Sequence, residues 1–370
     1  MALRKGYSPI GLDLGETGAK MVQLRAGGRG EWKLHAAGRV TCPSCGEDDS
    51  EQDGHAHLSA ITRMLEEQHF AGRNVATVLR RTDVLIRPIH LPATIDENDK
   101  EAVWSAVQEE ARRYLPYPPE NAVLDFLTVG KVRDEEEEKL EVLLISAPKE
   151  KVGEHISLLE SAGLRCVCID IVPCSVLRTA EHMLRDNRDE VVVTVEMGER
   201  DTIVSVSRSG QLLFSRSVKT GGGTLTDAIC EKLGLTRDKA EMFKRNHGID
   251  HRRTVSADFS DGTRISPKDM PAVLYELCQE ELSHIASEVK RSVEYFVAQF
   301  SGAKVDRGLL FGGGANLKGL PDFLHDRTGL EVQVGDPFMS VNTDNGDLEE
   351  RLGGNWASFA VALGLALRRG

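Results

Sequence analysis

An acid, two glycines and a lysine lie close together in residues 10–20, Ile-Gly-Leu-Asp-Leu-Gly-Glu-Thr-Gly-Ala-Lys. An apolar run brings Asp13 to the end of a predicted strand, and Gly15 and Gly18 allow the backbone to turn sharply. Such a turn can direct backbone N–H groups at a phosphate, and Lys20 returns on the next strand. A Mg-nucleotide needs these groups: an acid for the metal's water shell, amides for phosphate oxygens and an ammonium for the outer phosphates. A plain hairpin is the alternative interpretation, because Asp-x-Gly is common in turns.

Composition and charge narrow the class of protein. The 370 residues are 40% hydrophobic and 28% charged, which is typical of a soluble globular protein of about two to three domains. A formal net charge of −12 disfavours nucleic acid as a partner, since its phosphates require clustered lysines and arginines. The sequence has no run of about 18 apolar residues that would predict a membrane span, and its first residues lack the apolar core of a signal peptide. The seven cysteines fit reduced thiols, so we expect a cytoplasmic protein.

Residues 10–40 are predicted to form a strand, an acidic glycine turn, a strand, a turn and a strand. The same order recurs later in the chain. Residues 191–195, 203–207 and 212–218 form predicted strands, and the turn Glu-Met-Gly-Glu-Arg-Asp-Thr of residues 196–202 joins the first two. This similarity indicates a weak internal duplication. A third glycine turn, residues 312–314, follows the predicted strand 307–311.

Residues 84–171 have the makings of a small, self-contained α/β insert, with strands predicted over 84–90, 122–129, 140–147 and 165–171 and a helix over 149–162. Before the insert, a helix is predicted over residues 58–70 and a strand over 75–79. A capping box, Thr94 with Glu97, is expected to open a further helix that ends at Pro116. Beyond this region, helices are predicted from residue 224 and over residues 173–185, 236–246, 270–300 and 356–368.

The three glycine turns, in this order after predicted strands, resemble those of the actin-like ATPase superfamily. The resemblance implies a first phosphate loop, a second phosphate loop and an adenosine loop. The first comprises Asp13, Gly15, Glu16, Thr17 and Lys20; the second Glu196, Gly198 and Thr202; and the adenosine loop Gly312, Gly313, Gly314 and Asn316.

Longer phrases resemble the PilM family of type IV pilus assembly proteins over nearly the whole chain. They are Ile-His-Leu-Pro at 89–92, Glu-Glu-Ala-Arg-Arg-Tyr-Leu-Pro at 109–116, Leu-Asp-Phe at 124–126, Ala-Pro-Lys at 147–149, Thr-Gly-Gly-Gly at 220–223 and Gly-Leu-Ala at 364–366. The resemblance implies an ATP-binding cytoplasmic protein that docks to the N-terminal cytoplasmic peptide of a PilN-like inner-membrane protein. It also marks two departures: Glu196 stands where relatives usually have Asp, and Val172 where they often have a polar side chain.

Each candidate residue also has a structural interpretation. Asp13 and Glu196 would hold Mg²⁺ through water, or they are two exposed turn acids. Lys20 would reach a phosphate, or its stem would lie along the sheet with the ammonium in solvent.

The helix that follows the glycines of residues 221–223 adds further candidates. The amides of Gly222 and Gly223, with the helix dipole, could accept an anion, or they form a structural turn. Glu241 and Lys244 share one helix face and could hold the ribose and adenine, or they are an ordinary surface pair.

A separate cluster, Cys42, Cys45, His55 and His57, has ligand types that suit tetrahedral Zn²⁺. Its spacing does not match a standard zinc finger, and the PilM resemblance does not extend to it. A polar loop is the alternative.

We therefore predict an α/β, actin-like (ribonuclease-H-like, duplicated) fold with two halves around a nucleotide cleft and a small α/β insert in the first half. The predicted first half comprises residues 1–83, 172–187 and 337–370, and the insert comprises 84–171. The second half comprises residues 188–336, with 224–300 as its helical subdomain.

The expected function is that of an ATP- and Mg²⁺-binding scaffold or switch in type IV pilus assembly, with at most slow hydrolysis. We expect it to lie peripheral to the inner membrane through its partner, and self-association is a further expectation.

Three alternatives stay open. A sugar-kinase-type phosphotransferase needs a catalytic acid beside a sugar pocket, and the sequence shows none. An FtsA-like division protein needs an amphipathic membrane helix after the second half, and a GspL-like secretion protein needs a transmembrane segment; we expect neither here.

Overall fold

The computed structural model describes residues 6–28, 31–42, 50–134, 137–185, 187, 189–254, 266–300, 303–343 and 352–368. The strands in these ranges are β1 (Ile10–Gly15), β2 (Gly18–Ala26), β3 (Trp32–Thr41), β4 (Asn74–Val78), β5 (Leu85–Pro92), β6 (Ala122–Asp134), β7 (Glu137–Pro148), β8 (Arg165–Asp170), β9 (Val192–Met197), β10 (Thr202–Arg208), β11 (Gln211–Val218), β12 (Arg307–Phe311) and β13 (Val332–Val334). The α-helices are α1 (Ser50–Glu67), α2 (Lys100–Ala111), α3 (Lys149–Ser161), α4 (Val172–Met183), α5 (Gly222–Leu233), α6 (Arg237–His247), α7 (Met270–Leu277), α8 (Gln279–Gln299), α9 (Leu320–Thr328) and α10 (Ala360–Ala366).

The first sheet has the strand order β3-β2-β1-β4-β8. Strands β1, β2 and β3 pair antiparallel, whereas β4 runs parallel to both β1 and β8. The turn between β1 and β2 requires glycine at Gly18: its φ is +144°, and a Cβ there would lie 2.1 Å from the carbonyl oxygen of Val40. The loop after β1 is therefore held tightly against β3.

The second sheet repeats the arrangement, with the order β11-β10-β9-β12-β13. Strand β9 occupies the place of β1: it pairs antiparallel with β10 and parallel with β12. The duplication and the actin-like fold predicted from the sequence are confirmed.

Helices α4 and α10 lie between the two sheets. Val176 of α4 and Leu365 of α10 are buried in one apolar cluster with Val78 of the first sheet and Val192 and Leu309 of the second. The two helices approach very closely, since a Cβ on Gly364 would lie 1.8 Å from the carbonyl oxygen of Ser175. This layer of two helices joins the two halves, and the loops of both halves form a cleft beside it.

The insert is built on a third sheet, with the order β5-β7-β6. Helix α2 covers one face of it through Val103, Val107 and Ala111. The other face carries Val129 and Leu143, which belong to the core cluster of the second half. The expectation of a self-contained insert is therefore wrong, because one face of its sheet is buried against the second half.

Two further expectations for this region are wrong. Strand β8, which we expected within the insert, pairs in parallel with β4 of the first sheet. Periodicity predicts a strand but does not show which sheet it joins. The cap of α2 is Asp99, which accepts hydrogen bonds from the amides of Glu101 and Ala102, rather than Thr94.

The helical run predicted over residues 270–300 divides into α7 and α8 at Cys278. The apolar C-terminal helix begins as a 3-10 turn, Trp356–Phe359, before α10. In the described ranges, no helix combines the length and apolarity needed to cross a bilayer.

Candidate nucleotide cleft

A cavity of about 330 Å³ lies between the halves, where loops that follow β1, β4, β9 and β12 meet. Residues from the N-terminus of α5 and from α6 also line it. The predicted site residues that line it are Asp13, Gly15, Glu16, Thr17, Lys20, Glu196, Gly198, Gly222, Glu241, Lys244, Gly312, Gly313, Gly314 and Asn316. The predicted residues outside the lining are Thr202, whose fully buried hydroxyl donates to the carbonyl of Thr220, and Gly223.

Asp13 and Lys20 form an ion pair of 2.9 Å across the β1–β2 hairpin. They are directly opposite each other in the register of the two strands, which explains the spacing of seven residues in the sequence. Both side chains are mostly buried, with 14% and 13% of their surfaces exposed. The lysine therefore neutralises the acid of the first loop.

Glu196, near the end of β9, faces an arginine that the sequence analysis missed. Arg81 follows β4, and its guanidinium contacts the carboxylates of Glu196 and Asp201. Burial disfavours its charged form, but the negative charges of Glu196, Asp201 and Asp13 outweigh burial and raise the pKa of Arg81. The signal was present in the sequence: Arg81 is the second residue after the predicted buried strand 75–79, at the sheet edge where the other loops meet.

The loop after β12 packs directly on the loop after β9. Gly312 has a φ of +88°, and a Cβ there would lie 2.3 Å from the carbonyl oxygen of Met197 and 2.7 Å from a carboxylate oxygen of Glu196. A Cβ on Gly198 would lie 2.9 Å from the guanidinium of Arg81. Glycine is needed here so that backbone and charged groups can approach closely.

The N-terminus of α5 differs from the expectation of an anion site made by free amides. The amide of Gly222 donates to the carbonyl of Gly198 at 2.8 Å, and that of Gly223 donates to the carbonyl of Glu199 at 2.6 Å. These bonds dock the helix on the second loop, so the two amides hold that loop rather than an anion. These bonds fit the structural turn that was the alternative interpretation, and an anion-binding role for Gly222 and Gly223 stays a prediction.

Glu241 and Lys244 of α6 form an ion pair that also organises α5. The Lys244 ammonium donates to the carbonyl of Gly222 and to the hydroxyl of Thr226, both at 2.6 Å. Burial raises the pKa of Glu241, but the ion pair with Lys244 and hydrogen bonds from Lys244, Thr226 and Arg245 lower it to about 2. Both side chains line the cavity, and their role towards a ribose or adenine stays a prediction.

The zinc hypothesis is not tested, because Cys45 lies outside the described residues. Cys42 donates through its thiol to the carbonyl of Ala56 at 3.6 Å, and His55 is exposed on α1. The Nε2 atom of His57 lies 3.1 Å from the carbonyl oxygen of Gly15, so this side chain supports the first loop. Among described residues, no three His, Cys, Asp or Glu side chains are grouped as metal ligands.

The residues of the cleft fit a nucleotide with Mg²⁺. The carboxylates of Asp13 and Glu196 are the hard oxygen donors that Mg²⁺ prefers, and Lys20 offers an ammonium beside them. The glycine turns let the loops after β9 and β12 pack together beside the cavity, where a Cβ at Gly312 would lie against Met197 and Glu196. When bound, Mg²⁺ supplies charge compensation for phosphate oxygens.

Two sheets of the same strand order, two helices between them and a cleft of glycine loops define the actin-like fold. The ethanolamine utilization protein EutJ of Carboxydothermus hydrogenoformans shares this fold, with a TM-score of 0.55 and 15% identity over 99% of this chain and 90% of that one. A structure described as a PilM-PilN type IV pilus biogenesis complex gives a TM-score of 0.78 and 28% identity, and covers 98% of both chains.

The sequence matches the family described as type IV pilus assembly protein PilM over residues 11–261 and 274–370, and the chain belongs to that family. Curated relatives include the cell division protein FtsA of Staphylococcus epidermidis, which is 25% identical over 247 residues. FtsA of Streptococcus pneumoniae serotype 2 is 24% identical over 358 residues, covering 90% of this chain and 76% of that protein. The match to the Staphylococcus protein covers 59% of this chain and about half the length of that relative (50%).

Proposed function

We propose that this PilM-family protein binds ATP with Mg²⁺ in the cleft and acts as a scaffold or switch in type IV pilus assembly. The meeting of the three predicted loops at one cavity, with Asp13, Lys20 and Glu196 in its lining, supports the nucleotide site. The loops come from both halves, so a nucleotide held there would favour one relative arrangement of the halves over others.

Nucleotide binding is tested by thermal unfolding, because a ligand that binds only the native state raises the melting temperature. We expect Mg-ATP to stabilise the wild-type protein and to stabilise Asp13→Ala much less, since Lys20 then lacks its partner and the metal lacks an acid. Asp322→Ala, an exposed acid of α9, is the matched control and should respond like wild type. An unmoved melting curve in wild type would refute the cleft as a nucleotide site.

The proposed partner is the N-terminal cytoplasmic peptide of a PilN-like inner-membrane protein, docked between the insert and the first half. The structural neighbour that contains PilM and PilN supports a partner of this kind. On the insert, α2 carries exposed Glu109, and the turn that follows α2 carries exposed Arg112 and Arg113 next to Tyr114. Tyr114 is itself positioned by Arg87, whose guanidinium lies 4.2 Å from the ring centroid.

Charge reversal in the turn that follows α2 tests the docking surface better than removal of the insert, because removal would expose the core that the insert shares with the second half. We expect Arg112→Glu with Arg113→Glu to weaken retention of the protein on an immobilised PilN-like tail. Arg63→Glu, an exposed arginine of α1, is the control. Equal retention of both variants would exclude the turn that follows α2 from docking.

Recruitment by that partner would place the protein at the cytoplasmic side of the inner membrane. Membrane fractions from cells with and without the PilN-like protein test this, and retention in its absence would contradict the proposal. Self-association is tested by sedimentation velocity with and without Mg-ATP; an unchanged monomer in both conditions would refute it.

A further inference from the structure

Arg81 lies at a junction of the molecule. It sits in the 3-10 turn Arg81–Asp83, between β4 of the first sheet and β5 of the insert. Its side chain is 20% exposed and crosses the cleft to the second half, where Nη2 contacts Glu196 and Nη1 contacts Asp201. It also lines a second cavity, of about 740 Å³, between β5 and the second half. Arg81 thus joins both halves and the insert.

The charges at the centre of the cleft are nearly balanced by the protein itself. Three carboxylates, Asp13, Glu196 and Asp201, face two cations, Lys20 and Arg81. The acid of each phosphate loop has a cation within contact distance: Asp13 has Lys20, and Glu196 has Arg81. The negative charge that would attract a divalent cation is therefore largely compensated from within the chain.

We propose that Arg81 is a resident counter-ion of the second phosphate loop, which Mg²⁺ must displace from Glu196 before that acid can hold the metal's water shell. This inference rests on the proposed nucleotide site, because that proposal assigns Mg²⁺ to the acid pair Asp13 and Glu196. A planar guanidinium bridges two carboxylates in a fixed fork, so it occupies oxygen positions that an octahedral hydrated Mg²⁺ would need. Mg²⁺ therefore contributes less to the affinity for a nucleotide than it would if Glu196 had no cation beside it.

Removal of Arg81 should reveal the competition. In Arg81→Gln, Glu196 and Asp201 lose their cation while Asp13 and Lys20 are unchanged, so the formal charge of the cleft becomes more negative by one. A site of this charge attracts Mg²⁺ even without nucleotide. If Arg81 only tied the halves together, its removal would also lower the stability of the protein. That removal would not, however, make the melting temperature depend on Mg²⁺.

Thermal unfolding with Mg²⁺ alone separates these two roles, with KCl used to match ionic strength. We expect saturating MgCl₂ to leave the wild-type melting temperature unchanged and to raise that of Arg81→Gln by about 2–4 °C. The double variant Arg81→Gln/Glu196→Gln should lose this response, because the acid is gone. Arg80→Gln is the matched control on the neighbouring residue, whose guanidinium pairs with Asp83, and it should behave like wild type.

Equal Mg²⁺ responses in wild type and Arg81→Gln would overturn the proposal, as would a response that survives in the double variant. If Arg81→Gln does not fold, Arg81→Lys serves instead. Lysine keeps the charge but lacks the planar fork that holds two carboxylates in fixed positions, so a smaller Mg²⁺ response is expected, and its absence would count against the proposal.

A second readout uses ATP affinity measured with Mg²⁺ and with a chelator. We expect the ratio of the two affinities to rise about tenfold in Arg81→Gln relative to wild type, and an unchanged ratio would contradict the proposal. If neither protein binds ATP, the proposed function fails, whereas the measurements with Mg²⁺ alone still decide the role of Arg81.

Discussion

At the scale of single residues, Glu196 and Val172 bear on turnover. Glu196 is held by Arg81, and its extra methylene relative to aspartate moves the carboxylate outward. Mg²⁺ tolerates misplaced oxygens poorly, because it demands near-ideal octahedral geometry. Val172 lines the cleft at the start of α4, where its isopropyl group cannot orient or deprotonate water.

We therefore predict measurable ATP affinity with hydrolysis close to background. The loss of water positioning typically costs a factor of about 10² to 10⁴ in rate, whereas binding also draws on Lys20 and the backbone of the glycine loops. Single-turnover hydrolysis at saturating protein is the measurement. A rate of about 1 s⁻¹ or faster would refute the prediction. If the protein does turn ATP over, a Glu196→Asp variant that is no faster would also contradict the argument.

The acid of α6 gives a prediction on pH. Glu241 has a folded pKa of about 2 against an ordinary value of 4.5, so its contribution to stability is present above pH 4.5 and is lost as the pH falls towards 2. We expect Glu241→Gln to be less stable than wild type at pH 7, and the gap to narrow below pH 4.5. Urea unfolding from pH 7 to pH 3 measures this. A gap that stays constant with pH would contradict the ion-pair explanation.

At the scale of elements, the contact between α4 and α10 sets how closely the sheets approach. We predict that Gly364→Ala lowers the free energy of unfolding by about 1–3 kcal/mol, because the added methyl group overlaps the carbonyl of Ser175. Gly153→Ala on α3 is the control: a Cβ there would meet no heavy atom within 4 Å beyond the backbone of its own helix, and the substitution should stabilise by about 0.4–1 kcal/mol.

Urea or thermal unfolding of both variants decides the point. A Gly364→Ala protein as stable as wild type would show that α4 and α10 can move apart without a loss in the free energy of unfolding.

The elements also show what the sequence can and cannot predict. The glycine turns after strands predict the cleft, because strand ends and glycines are local features. The partner of Glu196 was not predicted, since Arg81 is separated from it by 115 residues and meets it only through the packing of the halves. The sheet of β8 and the engaged amides of Gly222 and Gly223 were missed for the same reason. These contacts are set by tertiary packing, which local periodicity does not encode.

At the scale of the whole molecule, the insert and the second half share a core. Leu143 of β7 is fully buried in the cluster that includes Leu213 and Phe214 of β11. The side-chain amide of Gln211 donates to the carbonyls of Thr128 and Val129 at 2.9 Å across the same boundary. The two units should therefore unfold together.

With Trp32 and Trp356 replaced by Phe, tryptophan fluorescence reports Trp104 of the insert alone, and circular dichroism reports the backbone of the whole protein. We predict that both signals show the same single unfolding transition in urea. Leu143→Ala should lower the free energy of unfolding by about 2–5 kcal/mol for both signals. Val123→Ala, at a position 41% exposed on β6, should change it by about 0.5 kcal/mol or less. An earlier transition of Trp104 would show that the insert unfolds alone.

The attachment of the insert has a mechanical consequence. Residues 79–84 join β4 to β5, and β7 ends at Pro148 where α3 begins at Lys149, so neither connection has slack. The first contains the turn that carries Arg81, braced by the amide of Asp83 on the carbonyl of Arg80 at 3.0 Å. The insert is thus tied to the first half by these two connections and to the second half by the core that they share. A displacement of the insert would therefore also shift the turn that places the guanidinium of Arg81 between the halves.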